Sequence, residues 1–301
     1  MHRCPKSVPL AAIFLIAFAT SDACGQWIDS LPRAAKESIL WSADHEYSGL
    51  KNWTPDAPNG GGGIFNTGGQ QASATLSDEH AHSGKYSVQT RIEGAYQARN
   101  GNRAVRLMRW TNKAWSEGGK NFPKTAYYST WILFPKNYNS NKYSPWDPGD
   151  GGWWNVFQFK AHDKAEESQP AWSLQTYFDD QRKCMYFGLY SSIDSSRSVE
   201  PAIPRPIAVN SWVHVEALYS CSPFERGQIA IWQDGQKILE AKNVQTVFRK
   251  EATYPVWGIG NYTDHVASSD DQGSATIYFD DCVVSTDRIS KYLHQQSRSQ
   301  Q

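Results

Sequence analysis

Ser211-Trp212-Val213-His214-Val215-Glu216-Ala217-Leu218-Tyr219-Ser220 alternates with a period of two residues. Val213, Val215, Ala217 and Tyr219 fall on one face of an extended chain, and Trp212, His214, Glu216 and Leu218 on the other. The next segment reads as a hairpin: Gln228-Ile229-Ala230-Ile231-Trp232, a turn at Asp234-Gly235, then Lys237-Ile238-Leu239. Asp-Gly suits a two-residue turn because both central residues must reach positive φ. Outward from there, Tyr127–Phe134 is β-rich on both faces, as a central strand is, and Ala275–Val284 is another strand. Helical periodicity is weak, with short turns expected at Pro32–Leu40 and Asp287–His294. The strand pattern starts near Ile39 and continues without a linker or repeat; Asn59–Gly63 reads as a flexible loop. Many strands without alternating helices predict one all-β domain, a two-sheet antiparallel sandwich of jelly-roll, concanavalin A-like type. Its concave sheet face is the expected ligand site.

The bulk properties narrow the function. His2, Arg3 and Lys6 precede an apolar run, Val8–Ala19, and small residues follow at Ser21, Ala23 and Gly25. This is the pattern of a secretory signal over residues 1–25. The run is shorter than the roughly 20 residues of a membrane-spanning helix. A secreted or periplasmic domain is therefore expected over 26–290, with a flexible Gln- and Ser-rich tail over 291–301. Cys24 sits where a lipoprotein carries its lipid, but the preceding Thr20-Ser21-Asp22-Ala23 lacks the usual Leu, which disfavours an anchor. Thirty basic side chains balance thirty acidic ones, which argues against nucleic acid as a partner. No second segment is long enough to span a membrane, and a monomer is expected. Thirteen Trp and fifteen Tyr suit both a large β core and a surface on which sugar rings stack. Cys184, Cys221 and Cys282 remain beside Cys24; export permits disulfides, and spacing leaves their pairing open.

The segment that carries chemistry is Trp153-Trp154-Asn155-Val156-Phe157-Gln158-Phe159-Lys160-Ala161-His162-Asp163. As a regular strand it puts Phe157, Phe159 and Ala161 on a core face, and Trp154, Val156, Gln158, Lys160 and His162 opposite. Together with Tyr127-Tyr128-Ser129-Thr130-Trp131-Ile132-Leu133-Phe134-Pro135, it resembles the jelly-roll polysaccharide lyases of the heparin lyase I, glucuronan lyase and alginate lyase type. Those lyases carry Gln-x-His on a central concave strand; here Gln158-Phe159-Lys160 stands in its place, with His162 one strand repeat further on. They also carry Lys-x-Gly-x-Tyr on a late strand. Gly258-Ile259-Gly260-Asn261-Tyr262 keeps the Gly and the Tyr and replaces the Lys with Gly. Trp212-Val213-His214-Val215-Glu216 and Trp232-Gln233-Asp234-Gly235 recur across such folds. The resemblance implies a secreted lyase acting on an acidic, uronate-containing polysaccharide.

The chemistry assigns candidates independently. β-Elimination needs the C6 carboxylate neutralised, a base for the C5 proton and an acid for the leaving O4. Gln158 is a donor to the carboxylate, and Arg106 or Arg109 a bidentate partner for it. On a regular strand these two arginines face opposite ways, so only one reaches the site. Lys160 or His162 is the base, Tyr262 the acid or both acid and base. A solvated Lys is protonated at pH 7, so Lys160 serves as base only if its pKa is lowered; otherwise it neutralises the carboxylate. Trp154, Tyr177, Tyr186 and Tyr190 are assigned to sugar binding. A non-catalytic carbohydrate-binding domain is the alternative. A hydrolase ranks below it, because Glu216 has no evident partner carboxylate.

Glu46, in Trp41–Glu46, the turn His82-Ser83-Gly84-Lys85-Tyr86, and Asp280-Asp281 resemble the structural calcium site of carbohydrate-binding jelly rolls. Glu46 and Asp280 are the expected ligands, with Asp281 a weaker third. Calcium takes six to eight oxygens, so turn carbonyls must complete the shell. His80 and His82 lack a third ligand for zinc, and His45 is expected to be structural.

Overall fold

The computed structural model describes residues 27–54, 61–67, 72–93, 103–110, 123–136, 138, 154–162, 169–179, 181–248, 254–263 and 274–293. The export segment with Cys24, most of the 138–152 loop and the tail from residue 294 lie outside the described residues.

Two short helices, α1 (Trp27–Ser30) and α2 (Arg33–Ser38), precede fourteen strands among the described residues. These are β1 (Ile39–Ala43), β2 (Gly61–Thr67), β3 (Ala72–Ser77), β4 (Ser87–Glu93), β5 (Arg103–Trp110), β6 (Thr125–Leu133) and β7 (Trp154–His162). They continue with β8 (Gln169–Asp179), β9 (Cys184–Ser191), β10 (Trp212–Ser220), β11 (Gly227–Gln233), β12 (Gln236–Val244), β13 (Tyr254–Thr263) and β14 (Ser274–Ser285). An eight-stranded sheet runs β12-β11-β10-β6-β14-β4-β3, with β1 also paired to β14; a six-stranded sheet runs β2-β5-β13-β7-β8-β9. Every pairing is antiparallel. This is the jelly-roll sandwich that the alternating segments predict.

Local chemistry accounts for the elements. Val213, Val215, Ala217 and Tyr219 all enter the core from β10. Asp234 (φ 49°) and Gly235 (φ 77°) close the β11–β12 hairpin, both in the left-handed region that such a turn requires. Aromatic rings lock the sheets together. The Trp257 ring lies 6.0 Å from Trp41, 5.9 Å from Trp53, 5.6 Å from Tyr128 and 5.3 Å from Phe157. Phe159 of one sheet stacks on Tyr219 of the other at 4.0 Å. Such pairs add about 0.5–1.5 kcal/mol each beyond the area they bury.

The structure corrects several expectations. Gly61, Gly62 and Gly63 are not a loop: they form β2, paired with Trp110, Arg109 and Met108. The register of β7 against β8 shifts between Asn155 and Phe157, and this bulge reverses the parity that a regular strand would have. Trp154 and Val156 therefore point into the core with Phe157 and Phe159 instead of joining Gln158. The Trp154 ring packs 5.0 Å from Tyr138, and its indole N–H donates to Asn261 Oδ1 at 2.9 Å. Trp154 is a core residue and has no face for sugar. Arg109 shares the inner face of β5 with Val105 and Leu107, fully buried, its guanidinium 5.5 Å from the Trp41 ring. Of the two candidate arginines, only Arg106 is on the outer face. Cys184, Cys221 and Cys282 are free thiols.

The outer face of β10 also differs from expectation, because the chain ends cover it. Trp27, Leu31, Ala35, Val283 and Ile289 form a second apolar cluster there. Ile289 and Ser290, at the boundary where the tail was expected to fray, are buried in a short 3-10 turn, Ile289–Tyr292. Glu216, fully buried, accepts the backbone N–H of Ile289 at 2.6 Å and of Ser290 at 3.2 Å. Glu216 therefore pins the C-terminal turn and has no role as a hydrolytic carboxylate. Burial raises it from 4.5 to about 7, against the lowering effect of those hydrogen bonds and Arg288.

Two outcomes follow. In Trp154→Phe, Asn261 Oδ1 loses its buried donor, so unfolding free energy falls by ~1–3 kcal/mol in denaturant titration; an unchanged denaturation midpoint would refute this. The Glu216 contribution to stability is fully present below pH ~4.5 and is lost as the pH rises through about 7. Wild type therefore loses up to ~3 kcal/mol between pH 4.5 and 8 that Glu216→Gln does not lose; equal pH slopes for the two proteins would refute this.

Candidate active site

The outer face of the six-stranded sheet is built by strand parity. On β13, Trp257 and Ile259 point inward to the core, and Asn261 donates inward to the carbonyls of Thr90 and Ala275. Val256, Gly258, Gly260 and Tyr262 consequently point outward. Register then sets their neighbours. Gln158 of β7 and Met108 of β5 flank Gly258; Arg106 is opposite Gly260; Lys160 and Trp110 flank Val256; Asn155 and Ala104 flank Tyr262. On the far side, Ser173 is opposite Gln158, and Gln175 opposite Asn155.

The glycines open the middle of this face. A Cβ on Gly258 would lie 2.2 Å from Met108 Sδ and 2.6 Å from Leu107 O, and one on Gly260 2.5 Å from Val105 O. With neither present, the Met108 side chain lies over Gly258 and the Arg106 side chain beside Gly260. The Arg106 guanidinium lies over the Tyr262 ring at 5.0 Å and donates to Thr67 Oγ1 at 3.0 Å. Lys160 is half-buried, and burial first, then the Arg106 charge, lowers it from 10.5 to about 8. Gln158 is buried, and its Oε1 has no hydrogen-bond partner among the described residues.

Gln158, Lys160, Arg106 and Tyr262 thus share one face across three adjacent strands. His162 ends β7 opposite Tyr254, and its side chain lies outside the described residues. Tyr177 and Tyr186 stack at 5.7 Å on the same sheet, and Tyr190 is paired with Ser173. The Tyr177 hydroxyl donates to Gln175 Oε1, and Gln175 Nε2 donates to Asn155 Oδ1, both at 2.8 Å. The Tyr186 hydroxyl donates to Glu200 at 2.9 Å. This polar relay runs from Tyr177 to Asn155, the neighbour of Tyr262. On β8 only Tyr177 is assigned from sequence; Ser173 and Gln175 are missed, although their alternation with Trp172 and Leu174 is the signal that finds them. Asn155 was hidden by the bulge.

The carboxylates of the expected metal site each bond to the His82–Tyr86 turn. Glu46 Oε1 accepts the backbone N–H of Lys85 and Tyr86 at 2.8 and 2.7 Å. Gly84, at φ 64°, passes so close that a Cβ would lie 2.5 Å from that oxygen. Asp280 Oδ2 accepts the His82 N–H at 2.9 Å. Asp281 is held by Ser83 Oγ at 2.9 Å and the His82 ring at 2.7 Å. His45 Nε2 accepts the Trp53 indole N–H at 3.2 Å, so its proton is on Nδ1, 3.3 Å from Asp280 Oδ1. Burial holds His45 at about 4, a neutral structural imidazole, and burial with Asp281 raises Asp280 to about 8. Asp280 and Asp281 are two adjacent buried carboxyls, held by backbone N–H groups, the Ser83 hydroxyl and two imidazole rings. Among the described residues no three His, Cys, Asp or Glu side chains group as a metal site, so a calcium ion there would need backbone carbonyls. His82 stacks on Trp131 at 3.7 Å, which fits packing better than zinc ligation.

Comparison with known proteins agrees with this architecture. The chain is similar in fold to an endo-β-1,4-glucuronan lyase from the fungus Trichoderma reesei, with a TM-score of 0.57 and 14% identity over 83% of this chain and 96% of that one. It is more distantly similar to alginate lyase Aly36B (TM-score 0.45, 13% identity, 75% and 88% covered) and to the cellulose-induced protein Cip1 (0.45, 16%, 83% and 98%). A search of curated protein sequences found no match. The family model described as Polysaccharide lyase matches residues 57–283, most of both sheets, and the chain belongs to that family.

Proposed function

We propose that this lyase is secreted and cleaves a uronate-containing polysaccharide by β-elimination on the outer face of the six-stranded sheet. The observation that carries the reading is Lys160: an amine lowered to about 8 by burial and Arg106, on the same face as the Tyr262 hydroxyl and the Gln158 amide. A lysine so lowered is partly neutral near pH 8, which a general base requires. Arg106 and Gln158 bind the C6 carboxylate, which makes the C5 proton acidic. The Lys160 amine takes that proton as the C5–H bond breaks. The released electron pair forms the C4=C5 double bond, the C4–O4 bond breaks, and Tyr262 delivers its phenolic proton to O4. The lysine ammonium and the tyrosinate then return to their starting states through solvent. The Lys that the resembling lyases place two residues before the glycine is Gly258 here, and Met108 covers that position.

The test incubates purified protein with glucuronan, alginate and heparin-type polymers and follows the ultraviolet absorbance of the unsaturated uronate product. Activity is expected on at least one polyuronate, rising with pH through about 8 as Lys160 loses its proton. Lys160→Ala and Tyr262→Phe each lower kcat by ~10²-fold or more. Full activity in Tyr262→Phe would remove the assigned acid, and polymer binding without any absorbance rise would favour a binding domain.

We propose a structural calcium ion bound by Glu46 and Asp280, with turn carbonyls completing its shell and Asp281 a weaker third ligand. The ion would tie the Asp44–Tyr47 segment and the His82–Tyr86 turn to β14. A chelator then lowers the thermal midpoint by several degrees and added calcium restores it; an unchanged midpoint in both conditions rules the ion out.

A further inference from the structure

A second feature of the outer face lies at its β2 edge, next to Arg106. Phe65 is 45% exposed and Trp110 half-buried, their ring centroids 6.3 Å apart and their planes 36° from each other. Both lie over glycine. A Cβ on Gly61 would be 2.2 Å from Trp110 Nε1, and one on Gly63 would be 2.5 Å from Phe65 Cε2 and 3.4 Å from Trp110 Cη2. The two rings therefore lie against bare strand backbone and do not stand off the sheet on their edges. One side of each ring is against the strand, which leaves the other side outward. Single exposed aromatics are ordinary on protein surfaces; here two neighbouring rings lie over two glycines of one edge strand and form a shallow, angled aromatic surface.

Its position says what covers it. Phe65 is directly opposite Arg106, and Arg106 opposite Gly260, so the platform continues without a break into the proposed site. Phe65, on β2, is two strand spacings, ~10 Å, from β13, so a sugar ring seated on it belongs to a different residue from the one being cleaved. The other edge of the sheet repeats the device: Tyr177 lies over Gly188, where a Cβ would be 2.6 Å from its ring, and stacks on Tyr186. We infer that Phe65 and Trp110 form a distal sugar-stacking subsite for the same polysaccharide chain, which crosses the strands from this platform over the Gly258–Gly260 floor towards Tyr177 and Tyr186. The inference rests on the lyase reading for its choice of occupant. The competing explanation is that the rings only shield the edge glycines, a known stabilising use of aromatics beside glycine.

Phe65→Leu separates the two, because leucine still covers Gly63 and lacks a flat π face. Polymer affinity is measured by affinity electrophoresis in the Tyr262→Phe background, where no turnover intervenes. KM and kcat are measured in the otherwise wild-type chain, and thermal midpoints for both. The subsite predicts roughly tenfold weaker polymer binding, the size of one lost aromatic contact, with KM raised, kcat kept and midpoint unchanged. The effect should vanish on oligosaccharides too short to span from Gly260 to β2. Unchanged affinity in Phe65→Leu overturns the subsite while leaving the lyase reading intact, as does a loss that follows the midpoint and ignores chain length. Failure of the Tyr262→Phe chain to bind any of the polyuronates also overturns it. Phe65-dependent binding in a protein that turns over no polymer supports the subsite and refutes the lyase reading.

Discussion

Trp257 lies where four other aromatic rings meet between the two sheets, and it determines what β13 does. A strand has two faces and no freedom to rotate one residue independently of the next. With Trp257 and Ile259 packed in the core and Asn261 bonded to the carbonyls of the opposite sheet, Gly258, Gly260 and Tyr262 have one direction left. The arrangement of the proposed site therefore depends on an apolar contact on the far side of the same strand. Moving β13 by one residue would exchange the two sets, exposing an indole and burying a tyrosine hydroxyl and two glycines beneath the core.

The electrostatics follow from that geometry. Two cationic side chains, Lys160 and Arg106, share this face; burial lowers both, and the Arg106 charge lowers Lys160 further, by less than burial does. The more easily deprotonated of the two is the lysine, since a guanidinium stays charged in proteins. A division of labour between a permanent cation and an adjustable amine is thus built into the residue types. An Arg at 160 or a Lys at 106 would remove it.

Covalent cross-links play no part in the described residues, since the three cysteines there are free. The sandwich instead relies on aromatic packing within and on a cap outside. The chain ends supply that cap: α1, α2 and the Ile289–Tyr292 turn cover His214 and Glu216, which alternation alone assigns to solvent. Period two reports that a strand has two different faces; it does not say that the polar one is wet. Here desolvation of Glu216 is compensated by backbone N–H groups from a segment more than seventy positions away in the chain.

By itself the sequence determined the fold class, the hairpin at Asp234-Gly235, the inward set of β10 and the resemblance to polysaccharide lyases, because these depend on local patterns: period two, turn residues and short motifs. Tertiary structure alone decided which residues meet. The bulge between Asn155 and Phe157 turned Trp154 and Val156 inward, and no one-strand pattern carries a register shift that exists only against β8. Arg106 and Arg109 were distinguishable in principle as opposite-facing, yet only the pairing of β5 between β2 and β13 says which face is the outer one. The run at Gly61–Gly63 resembles a loop by composition. It is a strand because it pairs with β5, more than forty positions away, and its glycines leave room for the Trp110 and Phe65 rings and for the Trp53 and Met108 backbone.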